Sequence, residues 1–302
     1  MSFNLPTAKE IRLYRRQFKL RLLATKWRLR HSAPGPPKDL VVTFMIPLIP
    51  KKRTDDWNRV QYLLNATLRS LTNQTNGHWQ ALVCCQDVPE MPADPRIHHV
   101  PFSDARSVTT RTDKWAKIRE MCEVWKSDYP TDGYHFLLDA DDLMHPTLVE
   151  EILRDTRGGA LMLEHGFIAN ARTGQIAPMP NPLSDHGHMA GKFFSTCGSS
   201  AAIRVSPSSG PRPHLITSRY RRHYAPQDHF PLFGYDVHLI KPALGMYVVN
   251  HGDNMDWEKR KDYRIKYINN NALDAEKRME IIKAFKLEDY FDDLSRILKK
   301  AT

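Results

Sequence analysis

No stretch of the chain approaches the roughly 18–20 consecutive apolar residues that a bilayer-spanning helix needs. Arg and Lys interrupt every short apolar stretch near the N-terminus, so no signal-peptide core is evident and a cytoplasmic protein is expected. Cysteine is scarce. Cys84, Cys85, Cys122 and Cys197 form no C-x-x-C pair and no zinc spacing, which predicts reduced, mostly buried thiols. The glycine-rich phosphate loops are missing as well. There is no G-x-G-x-x-G for a dinucleotide fold, no G-K-[ST] for a P-loop and no G-x-S-x-G for an α/β-hydrolase. His98, His99, His186, His188, His214 and His223 form no metal-spaced helical pair, and no internal repeat is visible.

What is present is a chain of 302 residues, 41% hydrophobic and 26% charged, enough for one large α/β domain or two small ones. The net charge is +10, but it is unevenly spread. Residues 1–30 carry nine Lys/Arg against the single acid Glu10, so a surplus of +8 sits there and the remainder is close to neutral. Basicity confined to an appendage argues against a nucleic-acid partner for the main domain. The segment from Pro6 to Arg30 predicts a helix, with Ile11, Tyr14, Phe18, Leu22 and Leu29 as one apolar stripe and basic residues on its flank. Two readings stand: a helix lying on an anionic membrane surface, on the inner face of the membrane, or one packed on the main domain through Leu13, Leu20 and Trp27. Residues 32–38 (Ser-Ala-Pro-Gly-Pro-Pro-Lys) predict a stiff linker. Three regions are expected: 1–38 as helix and linker, 39–257 as the main domain, and 258–302 as a C-terminal helical extension.

Within the main domain, Val41–Ile46, Trp79–Cys85, Ile97–Val100 and Tyr134–Leu138 predict strands, and Trp57–Thr72, Asp113–Lys126 and Pro146–Arg154 predict helices between and after them. Strands alternating with helices imply a mainly parallel, doubly wound sheet. Leu161–Glu164 and Phe167–Asn170 predict two further strands, read as antiparallel, and Gly245–Asn250 a late one. Residues 175–235 are rich in Pro, Gly, Ser and His and suit long functional loops. Leu273–Lys300 predicts one or two closing amphipathic helices.

The strongest chemical signal is Leu137-Leu-Asp-Ala-Asp-Asp-Leu143. Asp139, Asp141 and Asp142 follow directly on an apolar strand, where ligands of open α/β sheets bind. Three crowded acids repel one another. A hard divalent cation, Mg2+ or Mn2+, offsets that repulsion and in turn holds a diphosphate.

That string resembles the D-x-D region of family-2-like glycosyltransferases with the GT-A fold, of the bacterial polysaccharide type. Other segments resemble the family in the same order. Val42–Pro47 is similar to its first strand, which ends in proline at the nucleotide. Leu64-Asn-Ala-Thr-Leu-Arg-Ser-Leu-Thr-Asn-Gln-Thr75 is similar to its first helix, and Trp79–Asp87 to its second strand, whose terminal aspartate contacts the base. The chain departs from the family at Cys84-Cys-Gln-Asp87, which replaces an acidic, Gly/Ser-containing turn. The resemblance covers roughly residues 40–255. It implies a GT-A-like, Rossmann-like sheet flanked by helices, and a metal-dependent inverting transfer of sugar from a nucleotide-sugar donor to a saccharide or lipid-linked acceptor, in surface polysaccharide or glycan synthesis. It also implies that Pro47, Asp87 and Asp139 meet the donor, that Arg111, Lys114 or Lys117 approaches its diphosphate, and that Asp141, with Asp139 or Asp142 and His251, holds Mn2+ or Mg2+. Asp228 is the implied base, with Asp236 and Asp185 as rivals; His251 follows it by 23 residues. Thr196-Cys-Gly-Ser-Ser200 is a small-residue turn where backbone can approach a sugar. The competing classes are a nucleotidyltransferase of nucleotide-sugar metabolism, which usually shows a glycine-containing basic loop where this chain has Ile49-Pro-Lys-Lys-Arg53, and a non-enzymatic binding module.

Overall fold

The computed structural model describes residues 8–30, 39–103, 113–180, 192–208, 230–252 and 261–300. Of the sites expected from sequence, Arg111, Asp185 and Asp228 lie outside these residues. The chain folds as a mixed α/β protein on a seven-stranded, mostly parallel sheet with helices on both faces. The first half delivers β1 (Val41–Pro47), α2 (Trp57–Thr72), β2 (Trp79–Cys85), β3 (Ile97–Pro101), α3 (Lys114–Asp128) and β4 (Gly133–Leu137), after a helix α1 (Ala8–Arg30). A two-residue β5 (Leu143–Met144), α4 (Leu148–Arg154), β6 (Ala160–Leu163), β7 (Gly166–Asn170), β8 (Ile176–Met179), β9 (Ala201–Val205), β10 (Val237–Ile240) and β11 (Gly245–Val249) follow. Three helices, α5 (Lys261–Asn271), α6 (Ala275–Ala284) and α7 (Tyr290–Lys300), complete the chain.

The main sheet runs β10-β6-β9-β4-β1-β2-β3. β4, β1, β2 and β3 pair in parallel, and β9 is antiparallel to both β4 and β6. The period-two alternation of a strand explains why both faces are apolar. In β1, Val42, Phe44 and Ile46 join the layer beneath α2 and α4, while Met45 joins the layer beneath α3 and α1. Asp56 caps α2 by accepting the Arg59 amide at 3.0 Å. That helix is buried on two sides. Val60, Leu64, Leu68 and Leu71 meet the main sheet, while Leu63 and Ala66 meet a second sheet.

The second sheet, of order β5-β11-β7-β8, packs on α6 and α7. The two strands expected after α4 both form, and they divide between the sheets. β6 lies in the main sheet between β9 and β10, whereas β7 pairs with β11 and β8. All four β6 residues are buried, which demands cover on both faces, and the Glu164-His165 link lacks the residues of a tight hairpin turn.

α1 packs on the main domain through Leu20 and Trp27, one of the two arrangements expected for it. Its inward face is Leu20, Ala24 and Trp27, packed beside Phe230, Phe233 and Tyr235, whereas Phe18, Leu22 and Leu29 from the expected stripe face outward. No helix among the described residues is long and apolar enough to cross a membrane.

Candidate active site

Chain order creates the site. From β1 the chain steps outward to β2 and β3, then returns to lay β4 on the other side of β1. The carboxyl ends of β1 and β4 thus border a topological switch point, where open α/β sheets bind ligands. β1 ends there in Pro47, and β4 is followed there by the acidic cluster; the Leu138 amide still donates to the Met45 carbonyl at 3.1 Å.

The three acids go three ways. Asp139 accepts the Lys114 ammonium from the start of α3, and its own amide donates to Ser199 Oγ at 2.9 Å. Burial works against the charge on Lys114, but Asp139, with Asp141 and Asp142 behind it, outweighs burial and lifts its pKa above that of an ordinary lysine. Asp141 Oδ2 lies 2.8 Å from His251 Nε2, whose side chain is almost fully buried. Asp142, expected as a metal ligand, turns into the core instead. Its Oδ2 accepts from Ser199 Oγ at 2.5 Å and Cys197 Sγ at 3.5 Å, and its Oδ1 accepts from the Val248 amide at 3.3 Å. Burial pushes its pKa well up, and the neighbouring charges of Asp141 and Asp139 push it further.

His251 reaches Asp141 from a bend that follows the end of β11. Asn250 and Gly252 both have positive φ, 70° and 101°, and flank the histidine. The second value is costly for any residue with a Cβ.

A second group of charges braces the loop after β1. Asp113 pairs with Arg53 at 3.2 Å and with Lys117 at 3.2 Å, and Lys117, 1% exposed, donates its ammonium to the Leu48 carbonyl. Asp87 accepts the Lys51 amide at 2.7 Å. Residues 48–53 are thereby tied to α3 on one side and to the end of β2 on the other. Lys117 is thus a brace at the loop's root, while Lys114 is the cation beside the acids. Asp236 is exposed and follows Tyr235, before β10.

Two members of this arrangement escape a reading of the sequence. Ser199 sits in the small-residue turn noted above, but only the fold shows that it links Asp139 to Asp142. Arg53 belongs to a basic run whose type alone does not distinguish a brace from a solvated charge. Among the described residues, no group of three or more His, Cys, Asp or Glu side chains converges as a ready-made metal cage.

No protein-family model matches the chain, and no curated protein matches it. Among solved structures it is similar to 2-C-methyl-D-erythritol 4-phosphate cytidylyltransferase from Thermus thermophilus, with 13% identity over 67% of this chain and 89% of that one and a TM-score of 0.32. It is also similar to the glycosyltransferase GlyE of Streptococcus pneumoniae, with 10% identity over 82% of this chain and 64% of that one and a TM-score of 0.35. A third is 4-diphosphocytidyl-2C-methyl-D-erythritolsynthase from Anaerococcus prevotii, with 9% identity over 77% of this chain and 98% of that one and a TM-score of 0.32. At that level of likeness, the chemistry of the site is read from the chain's own residues.

Proposed function

We propose that the chain is an inverting glycosyltransferase that moves a sugar from a nucleotide-sugar donor to an acceptor hydroxyl. The observation that carries this reading is the pairing of Asp139 with Lys114 and of Asp141 with His251 at the carboxyl edge of β4, beside the braced loop after β1. Carboxylates and a partly buried ammonium at a switch point suit a ligand that brings its own phosphates.

Asp141 and His251 offer a carboxylate oxygen and an imidazole nitrogen side by side, a donor pair that fits Mn2+ or Mg2+ when diphosphate oxygens and water complete the shell. When bound, such a cation would neutralise charge on the departing nucleoside diphosphate. Asp142 is assigned a positioning role, since its oxygens are committed to Ser199, Cys197 and Val248. Lys114 adds fixed positive charge where the phosphates would lie. The Asp113 and Asp87 contacts hold residues 48–53 still, so the nucleotide meets a preformed wall. Asp228 is the proposed base that takes the acceptor's proton on the face opposite the leaving group. A saccharide or lipid-linked acceptor in surface-glycan synthesis fits this scheme.

The test is a panel of nucleotide-sugars with Mn2+ or Mg2+, followed by release of nucleoside diphosphate and by the anomeric configuration of the product. Asp228→Asn is expected to lower transfer by about a hundredfold or more while the donor still raises the melting temperature. Near-normal turnover in that variant would make another residue the base. Pyrophosphate release from a nucleoside triphosphate and a sugar phosphate would make the chain a nucleotidyltransferase.

A further inference from the structure

The two sides of α1 are both apolar, and among the described residues only one is buried in the fold. Leu20, Ala24 and Trp27, 2–5% exposed, pack against the turn Phe230–Phe233 and Tyr235. That contact fixes the rotation of the helix. On the opposite side stand Phe18, Leu22 and Leu29, with 69%, 46% and 82% of their surface exposed. Spacings of four and seven residues place these three within roughly 40° of one another around the helix. Of the large apolar side chains exposed among the described residues, only Val88, Leu239 and Met279 lie elsewhere, so the ridge on α1 is a concentrated patch.

The flanks of that ridge are cationic. Arg15, Lys19 and Lys26 follow it on one side and Arg21 and Arg28 on the other, all exposed, and residues 15–30 contain no acid. We infer that α1 docks the protein on an anionic lipid bilayer, lying in the plane of the surface with Phe18, Leu22 and Leu29 in the acyl boundary and the flanking cations at the headgroups. An apolar crest with long basic side chains on both shoulders matches that interface in depth and in charge. A nucleic-acid face would instead present cations at the crest to the phosphates. A second copy of this chain would bring the same cations against one another. This inference does not depend on the transferase chemistry, because vesicle binding is read without a donor.

The experiment is co-sedimentation of the full chain with phosphatidylcholine vesicles, with and without about one third phosphatidylglycerol. Wild type is expected to sediment with the anionic vesicles, to stay in solution with the neutral ones, and to be released by salt. The combined variant Phe18→Ser, Leu22→Ser and Leu29→Ser is expected to lose about tenfold or more in vesicle partitioning with little change in melting temperature, since none of the three belongs to the buried core. Lys19→Gln with Arg21→Gln and Lys26→Gln is expected to weaken anionic binding to a similar extent. Absence of wild-type binding to anionic vesicles overturns the inference, and so does a triple-serine variant that binds like wild type. Light scattering that shows a dimer dispersed by the serine changes, without vesicle binding, assigns the face to a second copy and also overturns it.

Discussion

Asp142 has no access to solvent, and its two oxygens are met by a hydroxyl, a thiol and a backbone amide. Removing the carboxylate takes away an acceptor that Ser199 Oγ and the Val248 amide both use in the core. Asp142→Ala is therefore expected to cost about 1–3 kcal/mol, read by denaturant melts, with Asp142→Asn recovering part of the loss. Equal stability of Asp142→Ala and wild type would contradict the assigned positioning role. Two histidines make a different prediction. Burial lowers the pKa of His145, whose Nδ1 lies 2.9 Å from Thr147 Oγ1 and whose ring meets Phe285 edge-on, and burial also lowers that of His98, stacked on Tyr129. A lowered folded-state value means the unfolded chain takes up the proton first. The stability tied to the neutral rings is complete above the unfolded value of about 6.5 and is lost as pH falls through it toward the lowered folded values. Melting temperatures are expected to fall across that window in wild type, and less steeply in His98→Gln with His145→Gln. Identical slopes would exclude these rings as the source.

β4 must come very close to β1 for the acids to reach the switch point, and Gly133 is where it does so. A Cβ there would sit 1.8 Å from the Val41 carbonyl oxygen, at a φ of 156°. Gly133→Ala is expected to destabilise the protein by more than about 2 kcal/mol, or to prevent folding, as judged by expression and thermal melts. Mild destabilisation would show that the two strands separate easily. The elements of this half are legible in the sequence, because β1, β2 and β4 are mostly apolar runs, each with a single polar residue (Thr43, Gln80, His135), and α2 and α3 carry apolar residues at helical spacing. The inward face of α1 is legible only in part, since Leu20 and Trp27 stand off the stripe as candidates to pack on protein while Ala24 does not. Its stripe of Phe18, Leu22 and Leu29 is real, but the packed residues, Leu20, Ala24 and Trp27, meet Phe230 and Phe233 more than 200 residues away. A hydrophobic stripe identifies an amphipathic face without naming what covers it. The pairing of β6 and β7 escapes the sequence for a related reason: adjacent short apolar runs do not say which sheet each one joins.

At the scale of the whole molecule, two sheets share α2 between them, and the site gathers residues from both. Asp139 and Asp141 come from the end of β4 in the main sheet, His251 from the end of β11 in the second, and Lys114 from α3. The acidic cluster is visible in the sequence because it follows directly on an apolar strand. Which acid serves which purpose is not, since Asp139, Asp141 and Asp142 are alike in type and only the packing of Ser199, Lys114 and His251 tells them apart. The most direct measurement is calorimetric titration of nucleoside diphosphates, with and without Mn2+, into wild type, Asp141→Ala and Lys114→Met. Binding to wild type that requires the cation, and is weakened by roughly tenfold to a hundredfold in each variant, is the predicted result. Binding that is independent of the cation and unaltered in both variants would contradict the account.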